Sequence, residues 1–271
     1  MMSSAFICAT CGAQFPPSAE APPECPICCD SRQFIGLDGQ QWTTLEELAH
    51  KHHNIIQQEE PGLYIHTEPH FAIGQRAFLL QTPQGNVLWD CLALLDPPTI
   101  DAVRDLGGIT AIAISHPHYY TTMVDWSLAF DDAPIHLHSA DRQWVMRPHA
   151  NIQHWLGDSR KLDELVLIHT PGHFDGFQVL YWPEGANGKG VLLSGDQPQV
   201  CMDTRWVSFM HSYPNYVPLG ARAIEQIVAR LEPYRFDRIY GAFPKRTVVA
   251  DAKQAVRRSA ERFMRAIAGQ P

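Results

Sequence analysis

Three apolar runs in this chain lead into side chains of the kind that bind metals. Residues 109–115 run into His116-Pro117-His118, residues 165–169 into Thr170-Pro171-Gly172-His173, and residues 191–193 into Ser194-Gly195-Asp196. Short continuous apolar runs read as strands buried on both faces, which belong in layered α/β proteins. Placing polar donors where such strands end restricts the fold. Asp196 is the clearest case, because a carboxylate leaving a buried strand is costly to bury unpaired.

Residues two apart on an extended chain point the same way, so His116 and His118 form half of a metal site. The tight turn at Pro171-Gly172 aims His173 back at the strand ends. A metal or a ligating histidine is the natural partner for Asp196, as ligand or as orienting group. Asp90, closing another apolar run, poses the same problem and is expected to be structural or orienting. His169 reads as a core or supporting residue. His211, in the segment 210–215, is carried as a substitute ligand or proton shuttle, against a surface or supporting place. His138 is a weaker candidate of the same kind, and His50, His52, His53, His66 and His70 read as structural.

Four of the seven cysteines form two Cys-x-x-Cys pairs, Cys8/Cys11 and Cys25/Cys28. That spacing, without an evident secretory signal, favours a metal over disulfides. The segment between the pairs, residues 13–24, holds four prolines and cannot build a core of its own. A tetrahedral metal would supply that folding free energy, on the order of 10 kcal/mol for structural zinc. Residues 1–40 are therefore expected to be a separate module resembling zinc ribbons and rubredoxins, with residues 41–271 forming one α/β domain. Zinc is the expected metal and iron the alternative.

The formal net charge of −8, from 21 basic and 29 acidic residues, argues against nonspecific binding to nucleic acid or anionic membranes. No apolar stretch approaches a membrane span, and a cytoplasmic protein acting on a small molecule is the expectation.

Along the chain, Thr44 and Glu47 match a capping box that starts a helix. Strands are expected at 62–67, 75–82, 86–91, 109–115, 134–138, 165–169, 176–182, 191–194, 207–210 and 236–240. Helices are expected at 99–106, 219–231 and 250–267. The turn at 185–190 should join two of the strands in a hairpin.

Asp90 after a strand, then His-Pro-His, Thr-Pro-Gly-His and Ser-Gly-Asp, in this order, resemble the metallo-β-lactamase superfamily over roughly residues 55–245. The resemblance implies a four-layer αβ/βα sandwich with metal in the cleft between two sheets. The family's usual first motif is His-x-His-x-Asp-His, and Tyr120 and Thr121 stand at its last two places. A late histidine is also usual, and Gly241-Ala242-Phe243 has none. All three departures concern the second metal, so the resemblance implies one ion, held by His116, His118, His173 and Asp196. Tyr120 either donates a hydrogen bond toward water or substrate or fills the vacated place.

Three imidazoles and an open position suit zinc catalysis, which brings the pKa of a bound water to about 7. Asp196 would hold that water or relay its proton. A metal-dependent hydrolase of a small ester, thioester, lactone or amide is the expected activity. The alternatives are a mononuclear iron redox enzyme, similar to sulfur dioxygenases, and a non-catalytic binding protein stiffened by its metal.

Overall fold

The computed structural model describes residues 4–59 and 62–270. The chain divides into two compact units. The first comprises Met1–Leu137 with Arg142–His154, and the second His138–Asp141 with Trp155–Pro271.

The first unit is built on a seven-stranded sheet. In spatial order its strands are His53–Glu59, Gly62–Glu68, Ala77–Thr82, Gly85–Trp89, Ala111–Ala113, Ile135–His138 and Ile152–Trp155. The central strands bury apolar runs, Ala77 to Leu80, Val87 to Trp89 and Ala111 to Ala113, as strands covered on both faces must. Gly85–Trp89 and Ala111–Ala113 run parallel, so Asp90 and the segment from Ser115 to His118 leave the sheet at one edge. Asp96 caps the helix Pro97–Asp105 by accepting from the Thr99 N–H at 3.0 Å. Thr44 caps Leu45–Lys51 by accepting from Glu47 N–H at 3.3 Å, as the capping box predicts. The Glu47 carboxylate, however, accepts from Thr43.

The cysteine segment lies in this unit. Ile7–Cys8 pairs antiparallel with Trp42–Thr43, and Pro26–Cys29 forms one helical turn. Its buried residues, Cys8, Cys11, Ala13, Phe15, Cys25, Ile27 and Cys28, pack against Trp42, Ile73, Trp144 and Met146. The four-proline segment thus borrows apolar cover from residues distant in sequence.

The second unit has a six-stranded sheet in the order Ser159–Leu162, Leu165–His169, Gln178–Trp182, Val191–Gly195, Arg238–Gly241 and Thr247–Val248. Leu165–His169 and Val191–Gly195 both run antiparallel to Gln178–Trp182, so they share a direction. Their C-terminal ends, and with them His173 and Asp196, fall at the same edge. The helix Ala221–Leu231 buries Ile224, Ile227 and Leu231, each at helical spacing and each contributing about 1.5–3 kcal/mol. Ala252–Ile267 buries small residues, Ala252, Ala255, Ser259 and Ala260, which permits close packing on the sheet.

The expected strands and helices are present with shifts at their ends. Besides several two-residue strands such as Thr247–Val248, the sequence reading did not include the strands His53–Glu59, Ile152–Trp155 and Ser159–Leu162 or the helix Met123–Ala129. The strands are edge or near-edge segments of mixed polarity, which alternate too weakly to register. The helix buries Met123, Val124, Trp126 and Ser127, but at seven residues it is too short for a 3.6-residue period to stand out. Among the described residues no helix is long and apolar enough to cross a membrane.

Candidate metal centre

His116 is the N-cap of a single turn of 3-10 helix, Pro117–Tyr119, and His118 lies within that turn, a few residues after the short apolar strand of the first unit. Both are buried, their rings 5.1 Å apart between centroids, and each offers a ligand atom within 4.8 Å of the other's. Burial pushes the His116 imidazole well below its ordinary pKa, and the Arg32 guanidinium adds to the push. Neutral imidazole is the form that binds metal.

A chain of hydrogen bonds orients His116. Asp90 Oδ1 accepts from both the N–H and the hydroxyl of Ser115, at 2.7 and 2.8 Å. With its proton committed to Asp90, the Ser115 oxygen is left as acceptor for His116 Nδ1 at 2.9 Å. The proton therefore sits on Nδ1, and Nε2 keeps the lone pair. Asp90 acts through Ser115, a residue the sequence reading passed over.

In the second unit, one ligand atom each of His173 and Asp196 also lie within 4.8 Å of each other, and both residues are buried. His173 Nδ1 donates to the carbonyl oxygens of His211 at 2.8 Å and Met210 at 3.2 Å. A carbonyl can only accept, so Nε2 is again the nitrogen with the lone pair. The contribution of His211 made here is thus through its main chain. The His173 N–H donates to Gln197 Oε1 at 2.6 Å, and Gln197 Nε2 donates to Thr170 O. This clamp explains the glycine of Thr-Pro-Gly-His, because a Cβ on Gly172 would lie 2.7 Å from Gln197 Oε1. Gln199 Nε2 donates to Asp196 Oδ1 at 2.9 Å, and the half-buried Tyr213 donates its hydroxyl to the Asp196 carbonyl at 2.7 Å. No short sequence motif marks Gln197, Gln199 or Tyr213.

Tyr120 and Thr121 are buried in the first unit, and both line a small cavity with Ala13, Gln14 and Ile27 of the cysteine segment. His138 stacks on His169, with ring centroids 3.8 Å apart. Their ring nitrogens bond to the carbonyls of Gly157 and Asp175 respectively, which suits a structural role.

The four cysteines Cys8, Cys11, Cys25 and Cys28 form a second donor group, with all sulfurs within 4.8 Å of one another. Cys8 and Cys28 are 3.6 Å apart and Cys11 and Cys25 3.7 Å, far beyond a disulfide bond. A tetrahedron with metal–sulfur bonds of about 2.3 Å has edges of about 3.8 Å, so the donors fit a tetrahedral ion such as zinc or iron. Hydrogen bonding with Cys11 pulls the Cys8 and Cys25 thiols down, while Cys11 and Cys28 are pushed up, so the four sulfurs share protons that a cation would displace. Gln40 braces the cluster, donating to Cys8 Sγ at 3.2 Å and accepting from Cys25 N–H at 3.1 Å.

No family model matches the sequence. A Bacillus subtilis (strain 168) protein described as uncharacterized protein YmaE is 49% identical over 266 residues, covering 97% of this chain and 96% of its own. Among solved structures, a Cronobacter sakazakii metallo-β-lactamase carrying substitutions in its HARLDQ motif superposes with a TM-score of 0.52. It is 19% identical and covers 79% of this chain and 97% of its own. The metallo-β-lactamase SMB-1, solved with mercaptoacetic acid, gives 0.51 at 16% identity, covering 77% and 95%. GOB-18 of Elizabethkingia meningoseptica gives 0.50 at 16% identity, covering 80% and 91%. This chain belongs to the family of YmaE, and its fold is that of the metallo-β-lactamases.

Proposed function

We propose that the protein is a metal-dependent hydrolase in which His116, His118, His173 and Asp196 together hold one ion. The observation that carries this reading is the matched pair of donor sets. Each unit presents two buried donors close enough to share a cation, at the end of its central strands. The donor chemistry fits zinc, a borderline ion that takes both imidazole nitrogen and carboxylate oxygen. When bound, the ion supplies Lewis acidity, enough to make a water acidic near neutral pH.

The chain's own residues do the rest. Ser115 and the carbonyl of His211 hold the imidazoles of His116 and His173 in the tautomer that offers Nε2. Asp196, kept in place by Gln199, would orient a water beside the ion and accept its proton through the oxygen it does not share with the metal. Tyr120 and Thr121 are packed against the cysteine segment, which supports a centre of one ion. One ion suits acyl transfer better than phosphodiester cleavage, where paired ions clamp both attacking and leaving oxygens. We assign the substrate to the small esters, thioesters, lactones or amides. The second donor group holds a structural zinc.

Metal analysis of protein purified without added metal, followed by a panel of such substrates, tests this reading. Zinc near two per chain, with turnover abolished in His118→Ala, is the expected result. Iron at the histidine centre with a visible absorption band would move the protein to the redox class. A metal-loaded protein inert across the panel, with His118→Ala costing only stability, would make it a binding protein.

A further inference from the structure

The cysteine segment packs directly on the loop that carries His116 and His118. The first cysteine pair closes a tight knuckle, with Gly12 N–H donating to Cys8 O at 2.8 Å and Cys8 N–H to Ala13 O at 2.9 Å. The next residue, Gln14, reaches out of the knuckle. Its N–H donates to the Thr121 carbonyl at 3.2 Å, and its side-chain Nε2 donates to Asp125 Oδ2 at 2.7 Å. Arg147 completes the link, donating to Asp125 Oδ1 at 2.7 Å and to Gln14 Oε1. Gln14 is 3% exposed, and its partners Asp125 and Arg147 are partly buried.

Thr121 needs such support. It sits at a φ of +38°, in a region that a β-branched residue enters only at a cost on the order of 1–3 kcal/mol. Strain of this kind persists only where the surroundings over-determine it. On one side Thr122 Oγ1 donates to Leu92 O at 2.9 Å. On the other the knuckle closes against Thr121. Gly12 is at a φ of +81°, and a Cβ on it would lie 3.2 Å from Thr121 Cγ2. Only Tyr119 and Tyr120 separate Thr121 from His118.

We infer that Gln14 is a positioning residue for the His116–His118 loop, through which a filled cysteine cluster tightens metal binding at the histidine centre. The inference rests on the histidine centre proposed above. Without a metal the knuckle keeps its backbone bonds and apolar cover, but its four sulfurs are not tied to one centre, and Gln14 is held less firmly against Thr121. Loading the cluster fixes the knuckle, the knuckle holds Thr121, and the loop keeps its two imidazoles at the spacing an ion requires.

Cobalt(II) reads both centres in the full chain, because thiolate coordination adds an intense charge-transfer band that imidazole and carboxylate coordination lacks. Wild-type protein and Gln14→Ala are titrated in parallel. The thiolate band is expected to fill alike in both, while affinity at the histidine centre falls about tenfold in Gln14→Ala, the usual cost of losing an outer support. Equal affinities overturn the inference. Should Gln14→Ala fail to fold, Asp125→Asn makes the same comparison, since it weakens the same bonds with nearly unchanged shape. A second arm treats fully loaded wild-type protein with a mercurial that captures the cluster thiolates. Loss of the thiolate band followed by release of cobalt from the histidine centre supports the coupling, and retention there overturns it. If the wild-type protein shows the thiolate band alone, the histidine centre itself is refuted and the inference falls with it. Two bands filling independently refute only the coupling.

Discussion

Asp90 accepts two hydrogen bonds from Ser115, from the backbone N–H at 2.7 Å and from the hydroxyl at 2.8 Å. The second fixes the direction of the hydroxyl proton, and so makes the Ser115 oxygen an acceptor for His116. Ser115→Ala is expected to lower metal affinity at the histidine centre by about 10–100-fold while the cysteine cluster keeps its metal. Asp90→Ala should do the same and also cost about 1–3 kcal/mol of stability, because a buried N–H loses its acceptor. Competition against a chelator of known affinity, with urea denaturation beside it, checks both.

Gly172 has no room for a side chain. A Cβ there would meet Gln197 Oε1 at 2.7 Å and Leu219 Cδ1 at 2.9 Å, and Gln197 is the group that holds the His173 N–H. Gly172→Ala is expected to displace Gln197, lowering stability by about 1–3 kcal/mol and weakening metal binding. The double variant Gly172→Ala/Gln197→Ala should recover part of the stability but not the affinity. Thermal denaturation of the metal-free and loaded forms separates the two effects.

The stacked pair His138 and His169 sets a direction for the pH dependence of stability. Burial brings His138 from its ordinary value of 6.5 to about 4, and burial also lowers His169. The groups around the pair are Trp155, the carbonyls of Gly157 and Asp175, and the Arg230–Asp158 ion pair. Between pH 4 and 6.5 the unfolded chain binds more protons than the folded one. The contribution of His138 to stability is thus fully present above its ordinary value and is lost as pH falls toward 4. Urea midpoints measured from pH 7 to pH 4.5 should decline, and His138→Gln should flatten the decline. A flat wild-type profile would refute the assignment.

Gln40 closes the cysteine cluster from outside, with bonds to Cys8 Sγ and Cys25 N–H. Gln40→Ala is expected to weaken metal binding by the four thiolates about tenfold, leaving their number and the fold intact. Cys25→Ser removes a ligand and should release the metal altogether, with loss of order in the cysteine segment. Thiol titration and bound zinc, counted on the same sample, distinguish the two variants.

Much of the centre was legible because its signals are local. His116 and His118 stand two apart after an apolar run. His173 follows a Pro-Gly turn, and Asp196 ends a buried strand. Each of these needs only a few consecutive residues to be read. The residues that were missed act at a distance. Ser115 adjoins His116 but matters only because Asp90 lies beside it, 25 residues earlier in the chain. Gln197 and the His211 carbonyl reach His173 across 24 and 38 residues. Likewise the strand His53–Glu59 pairs its Ile55 with His66, a partnership its own mixed polarity did not announce.

Composition, spacing and periodicity were thus sufficient to determine which strands are buried, which side chains are of metal-binding type, and that the four cysteines form one cluster. Those properties follow from bond geometry and hydrophobicity over a few residues. The tertiary structure alone decided which nitrogen of His116 and His173 carries the proton, why Gly172 must be glycine, and that Gln14 rests on Thr121. Each of these depends on a hydrogen bond or a close approach between segments far apart in the chain, and such contacts exist only once the segments have packed.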